Sequence, residues 1–178
     1  MTPRTPAEAL AFLSSLGASP WLVRHHELVL EAAELLTQRL ARELRVPFAR
    51  DEVLLGAALH DAGKVLHPQE MREHGNQHER AGEALLLERG VSPWLARICV
   101  THASWPREEL RLEELLVALA DTLWKGRREP ELESKVMKLI ADRMGMQAWE
   151  VFDRLDSICE AVAADGPERL DRSRVGEG

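Results

Sequence analysis

The chain has 178 residues, 45% of them apolar, and a formal charge of −7. That length suits one domain, and that apolar content is enough for a core, so global disorder is excluded. A surface this negative repels polyphosphate backbones, so no nucleic-acid polymer is expected as a partner.

Helical periodicity runs through the chain, and an all-α, single-domain bundle of about seven to eight helices over residues 1–166 is predicted. Thr5 reads as the N-cap of a first helix to Leu16, with Pro6 at the first helical position and Glu8 at the capping-box position. Its apolar stretch from Ala7 is short and carries Glu8, unlike a signal peptide. No run approaches the roughly 20 apolar residues that span a bilayer. A cytoplasmic protein with no membrane partner is therefore expected.

Pro20 opens a long second helix to about Leu44, and Asp51 caps a third that ends at His60. Gly63 breaks that helix and frees the backbone to turn away, and Val65 to Asn76 reads as a surface loop. Further helices are predicted from Gln77 to Glu88, from Ser92-Pro93 to His102 and from Glu108 to Trp124. The last two run from Pro130 to Gly145 and from Gln147 to Ala164. Beyond Gly166 the chain is charged and apolar-poor, so residues 167–178 are expected to fray. Cys99 and Cys159 sit in apolar helical patterns and read as buried thiols of a reducing compartment.

Several polar side chains interrupt apolar runs. His25 and His26 divide Trp21-Leu22-Val23 from Leu28-Val29-Leu30, and His60-Asp61 ends Leu54-Leu55-Gly56-Ala57-Ala58-Leu59. His102 follows Ile98-Cys99-Val100, and Asp121 lies within Leu115 to Leu123. Burying an unpartnered carboxylate costs several kcal/mol, and a divalent cation removes that cost. Two imidazoles and two carboxylates make a mixed nitrogen and oxygen set whose charge matches such an ion. Neighbouring helix residues point roughly 100° apart, so His60 and Asp61 can share an ion only beyond a helix end. The apolar faces of His25 and His26 are alike, so residue patterns alone leave the first ligand open between them.

The order His25, His60-Asp61, Asp121 resembles the signature of the HD-domain metal-dependent phosphohydrolase superfamily. The likeness extends from Leu-Leu-Gly-Ala-Ala-Leu-His60-Asp61-Ala-Gly63-Lys64 to His78-Glu-Arg-Ala-Gly82, Ile98-Cys-Val-Thr-His102 and Ala120-Asp121-Thr-Leu. It covers about residues 21–125, and it implies a helical bundle of the HD type. The resemblance implies a divalent metal (Mn, Mg, Fe, Co, Ni or Zn) on His25, His60, Asp61 and Asp121. The family pattern, with a valine four residues on, favours His25 over His26. His78 and His102 match positions that hold a second metal or contact phosphate, and Lys64 matches a lysine near substrate.

The implied activity is hydrolysis of a small phosphate ester, such as a nucleotide, with Asp61, Lys64, His78 and His102 in catalytic roles. No Glu-Asp pair follows the HD dipeptide, and Ala-Ser-Trp-Pro follows His102. Those departures disfavour the alarmone-hydrolase and cyclic-dinucleotide subfamilies. Alternatives on the same scaffold are a di-iron oxygenase and a non-catalytic metal- or nucleotide-binding module, and a homo-oligomer is compatible with each. Trp105 and Trp124 are candidate walls of the site. The run Lys125, Arg127, Arg128 is either a solvated helix end or a draw for an anionic substrate.

Overall fold

The computed structural model describes residues 2–107 and 109–174, and every regular element among them is helical. Helix α1 (Pro6–Ser15) is capped by the Thr5 hydroxyl, which accepts from the Glu8 amide at 3.2 Å. The Glu8 carboxylate accepts from the Arg4 amide at 2.7 Å, one residue before the position a capping box uses. Helix α2 (Pro20–Arg39) starts at Ser19, whose hydroxyl accepts from the Leu22 amide. Its continuation to Leu44 is the predicted one, but Leu40–Leu44 widens into a π turn and stops at Arg45, where φ is 55°.

Helix α3 (Arg50–Leu59) departs from the prediction at its start. Ala49, not Asp51, is the cap residue, and its amide donates to the buried carboxylate of Glu113 at 3.2 Å. A partner 64 residues away does the work assigned to a local side chain. Two 3₁₀ turns follow, Ala62–Val65 and Pro68–Met71, and then α4 (Gln77–Glu88).

The single helix predicted up to His102 is two, α5 (Pro93–Ala96) and α6 (Ile98–Ser104). Between them Val100 N bonds Arg97 O, three residues back, and tightens the junction. Helix α7 (Leu112–Leu123) begins later than predicted, and Glu108 lies outside the described residues. Helices α8 (Pro130–Met144) and α9 (Ala148–Ala164) lie close to expectation, with Gly145 closing α8 at φ 65°.

The expected fraying after Gly166 is not what residues 166–173 do. They form α10 (Gly166–Ser173), because Arg169, 1% exposed, pairs with Glu31 of α2 and donates to the Val162 carbonyl at 2.8 Å. Residues 175–178 of that tail lie outside the described residues.

Helices α2, α3 and α7 pack on one another, with α8 and α9 against the α7 side. The apolar residues they bury include Val29, Leu36, Val53, Leu116, Leu119, Ile140 and Ile158. A second apolar group joins α1 and the far side of α3 to α4, α5 and α6 through Leu13, Leu59, Leu86, Leu95 and Cys99. Both cysteines are buried and free. Gly56 sets the spacing of α3 and α7, since a Cβ there would lie 2.8 Å from Val117 Cγ2. The C-terminal end of α3 thus arrives among α2, α4, α6 and α7. Among the described residues no helix is long and apolar enough to cross a membrane.

Candidate metal centre

His60 caps the end of α3, and Asp61 leaves the helical line at φ −105°, ψ 20°. That change of direction lets both side chains face one region, as their adjacency at a terminus requires. His25 Nε2 lies 3.4 Å from His60 Nε2 and 3.2 Å from Asp61 Oδ2. Asp121 Oδ1, from α7, lies 3.4 Å from His60 Nε2 and 3.9 Å from His25 Nε2. Four side chains from three separated segments therefore converge.

The separations can be tested against an ion. Two donors each about 2.1 Å from one metal stand roughly 3.0 Å apart at a right angle and about 3.4 Å apart at the tetrahedral angle. The observed spacings fall on or slightly beyond that range. Asp61 Oδ1 is also buried with no donor in hydrogen-bonding geometry, a cost that a cation would remove. The donor set fits a divalent ion.

Ring orientation follows from what the other nitrogen touches. A carbonyl only accepts, so a ring nitrogen bonded to one carries the proton and leaves the opposite nitrogen with its lone pair. His60 Nδ1 faces Ala57 O at 2.9 Å, and His102 Nδ1 faces Ile98 O at 3.1 Å. Both therefore present Nε2 to the site. His26 spends Nδ1 on the same Ala57 carbonyl at 3.2 Å, is fully buried, and stays outside the groups whose donor atoms converge. Of the two neighbouring histidines it is His25 whose ring joins the cluster. Trp124 stands edge-on against His25, with centroids 5.2 Å apart.

Asp61 divides the histidines. Its Oδ2 faces His25 and His60, while its Oδ1 lies 3.1 Å from His78 Nε2 and 3.5 Å from His102 Nε2. Asp61, His78 and His102 form a second buried group able to hold an ion. Lys64, on the 3₁₀ turn, places Nζ 2.5 Å from Asp61 Oδ2.

The close approach of α4 makes this second group. A Cβ on Gly63 would lie 2.6 Å from the Gly82 nitrogen and 2.7 Å from the His78 carbonyl carbon. Gly63 thus serves not to let the chain turn away, as predicted, but to let α4 press against the HD turn.

Glu70 was not singled out in the sequence. From the expected surface loop its side chain turns inward, accepting from the amides of Gln77 and His78 and from His78 Nδ1. One carboxylate thus caps α4 and fixes the His78 ring. Nothing in the residue pattern marks it, since the loop has no period and the partner is eight residues on.

Charge follows this geometry. Burial opposes ionisation of Asp61, but His60, His102, His25 and His78 outweigh it and hold the carboxyl well below its usual range. Burial likewise opposes the charged form of Asp121, and His60 and His25 reverse the balance. Burial lowers His25 despite Asp61, and it lowers His26 further, with His60 and His25 adding repulsion. His78 and His102 are raised, because Asp61, with Glu70 on the former and Asp121 on the latter, outweighs the burial penalty. His78 and His102 are therefore poised to carry protons where His25 and His26 are poised to stay neutral.

Two other candidates are used elsewhere. Trp105 turns to α8, where its carbonyl accepts from Lys135 at 2.6 Å. Arg128 pairs with Glu133 and Asp156 at 2.7 and 2.6 Å, so it secures α8 and α9 and leaves the basic run to Lys125 and Arg127.

Comparison with known proteins agrees with this arrangement. Over 138 residues, 72% of its length, the chain is 28% identical to the multifunctional CCA protein of Pasteurella multocida. It spans only 31% of that relative. No solved structure matches. Residues 23–126, which bear all the converging side chains, match the HD domain, and the chain belongs to the HD-domain family of metal-dependent hydrolases.

Proposed function

We propose that this protein is a metal-dependent phosphohydrolase acting on a nucleotide or another small phosphate ester. The observation that carries the reading is the meeting of His25, His60, Asp61 and Asp121 at ligand spacing around a buried carboxylate. Those four residues would hold a divalent ion. When bound, such an ion supplies Lewis-acid polarisation of a phosphoryl oxygen and an acidified water.

The chain's own groups do the rest. Lys64 brings a positive charge to the rim of Asp61, where it can neutralise phosphate oxygens. His78 and His102 turn Nε2 toward Asp61 Oδ1, and when their rings are doubly protonated they can donate from it to a phosphoryl oxygen or to the leaving oxygen. Asp61 Oδ1 faces both of them. Trp124 walls the His25 side and limits the water that reaches it.

The division of Asp61 between two histidine groups favours a second reading, with an ion on each side. The scaffold would then suit either dinuclear hydrolysis or iron chemistry. Metal analysis of protein purified without chelator decides the count.

The test is phosphate release from a nucleotide panel with Mn²⁺, Mg²⁺, Co²⁺ or Ni²⁺. Asp61→Ala and Asp121→Ala should each lower turnover by about 100-fold or more. Activity unchanged in Asp61→Ala would overturn the proposal, as would a wild type inert across the panel with every metal.

A further inference from the structure

A helix that ends inside a protein leaves its last carbonyls without helical donors and out of reach of water, so other groups must supply them. Helix α3 is such a helix, since Ala57, Ala58, Leu59 and His60 are all fully buried. Three side chains donate to its end. The Cys99 thiol of α6 meets the Leu59 carbonyl at 3.4 Å. The Ala57 carbonyl accepts twice, from His60 Nδ1 at 2.9 Å and from His26 Nδ1 at 3.2 Å. A carbonyl oxygen has two lone pairs, so both bonds form together.

His26 has no part in the hydrolytic chemistry described above. It comes from α2, where its neighbour His25 turns into the metal centre. Its bond to Ala57 therefore ties the helix that carries His25 to the helix end that carries His60, one residue from the first ligand and three from the second. The His26 ring also packs edge-on against both ligand rings, its centroid 4.8 Å from that of His60 and 5.5 Å from that of His25.

An imidazole is costly in this place. With the proton on Nδ1, Nε2 is left as an acceptor, and among the described residues no donor reaches it in hydrogen-bonding geometry. The side chain is 0% exposed. A buried polar atom without a partner opposes folding, and a leucine of similar volume would avoid that cost. Packing alone does not account for a histidine here; a donor delivered to Ala57 does.

We propose that His26 is a positioning residue for the metal centre. Its Nδ1–H fixes the Ala57 carbonyl, and that carbonyl fixes the ring of His60, whose Nε2 stands 3.4 Å from that of His25. The role rests on reading His25 and His60 as ligands, but it is tested without turnover.

Two substitutions separate positioning from packing. His26→Leu keeps the volume and removes the donor, while His26→Asn keeps an N–H where Nδ1 stands. Co²⁺ and Mn²⁺ are titrated by calorimetry into the full chain after chelator treatment and dialysis, and the ring ¹⁵N shifts of His60 are recorded on metal-free protein. In His26→Leu the affinity should fall by about 10- to 100-fold, and the His60 shifts should move toward a mixture of tautomers. Its Tm should stay within about 4 °C of wild type or rise, because the orphaned acceptor goes with the donor. His26→Asn should recover the affinity to within about fivefold of wild type. A histidine that only packs predicts the opposite pairing, a steep fall in Tm with the affinity of the folded protein intact. Affinity within about twofold of wild type in His26→Leu, unmoved His60 shifts, or a loss that His26→Asn does not recover overturns the proposal. If the wild type takes up neither metal, the ligand reading fails, and the metal-free shifts of His60 still decide the role of His26.

Discussion

Replacing Gly63 by alanine isolates the contact that brings α4 to the HD turn. The backbone of Gly63 does not have positive φ, so alanine is conformationally acceptable there and, with nothing nearby, would stabilise slightly. Its Cβ would instead run deep into the His78 carbonyl oxygen, and even the next atom, the Gly82 nitrogen at 2.6 Å, lies about 0.9 Å inside a normal contact of roughly 3.5 Å. Both sides of the clash are backbone, so no rotamer change relieves it. Overpacking of this kind costs at least about 3 kcal/mol. At roughly 2–4 °C per kcal/mol for a chain of this size, Tm should fall by about 6–12 °C or more.

The shift also moves His78 away from Asp61, and an ångström of misplacement can cost about 100-fold in turnover. Gly90→Ala is the control. Gly90 has φ 77° and nothing within 4 Å of an added Cβ, so it should lose only about 1 kcal/mol, with turnover intact. Thermal unfolding and phosphate release are measured on both variants. A Gly63→Ala protein with wild-type Tm and wild-type turnover refutes the close-approach argument.

Glu70→Gln removes the charged acceptor from His78 Nδ1 while keeping the side chain's shape; turnover should fall about 10–100-fold, and the ¹⁵N shifts of the His78 ring should report a changed tautomer balance. Identical shifts in the two proteins would show that the ring is held by something else. Acid stability should depend on Glu113, whose carboxyl is held low because Arg143 and the Ala49 amide outweigh the burial penalty. A lowered carboxyl contributes stability above its unfolded pKa, near 4.3, and loses it as pH falls through the lower folded value. Glu113→Gln should therefore cost about 2 kcal/mol at neutral pH, or roughly 4–8 °C in Tm, with the gap to wild type closing below about pH 4. A gap that stays constant down to pH 3 contradicts the assignment.

What the sequence disclosed depended on how far each signal reaches. Helix starts set by neighbours were readable: Thr5 with Pro6, and Pro20, act within three residues. The Gly145 stop was readable for the same reason. The start of α3 was misjudged because its first donor is satisfied by Glu113. Likewise α10 was missed, because its charged face looks solvated until Glu31, 138 residues before Arg169, is placed against it. In the centre, the apolar run interrupted by His60-Asp61 flagged buried polarity correctly, while Asp121, also marked by its apolar run, is only half-buried. His25 and His26 were inseparable by pattern, since both lie on apolar flanks, and only the ring contacts of each distinguish them. Glu70 was invisible, because an inward-turned loop side chain leaves no periodicity behind.

Arg169 and Arg172 both grip Glu31, which sits six residues beyond His25 on α2. The final helix is thus a strap, fastened mainly by ionic grip, across the rod that carries a metal ligand. Strong salt loosens such a fastening where it would tighten a greasy one. A fusion partner joined at the C-terminus pulls on that strap, so an amino-terminal tag is the safer choice for metal-binding measurements.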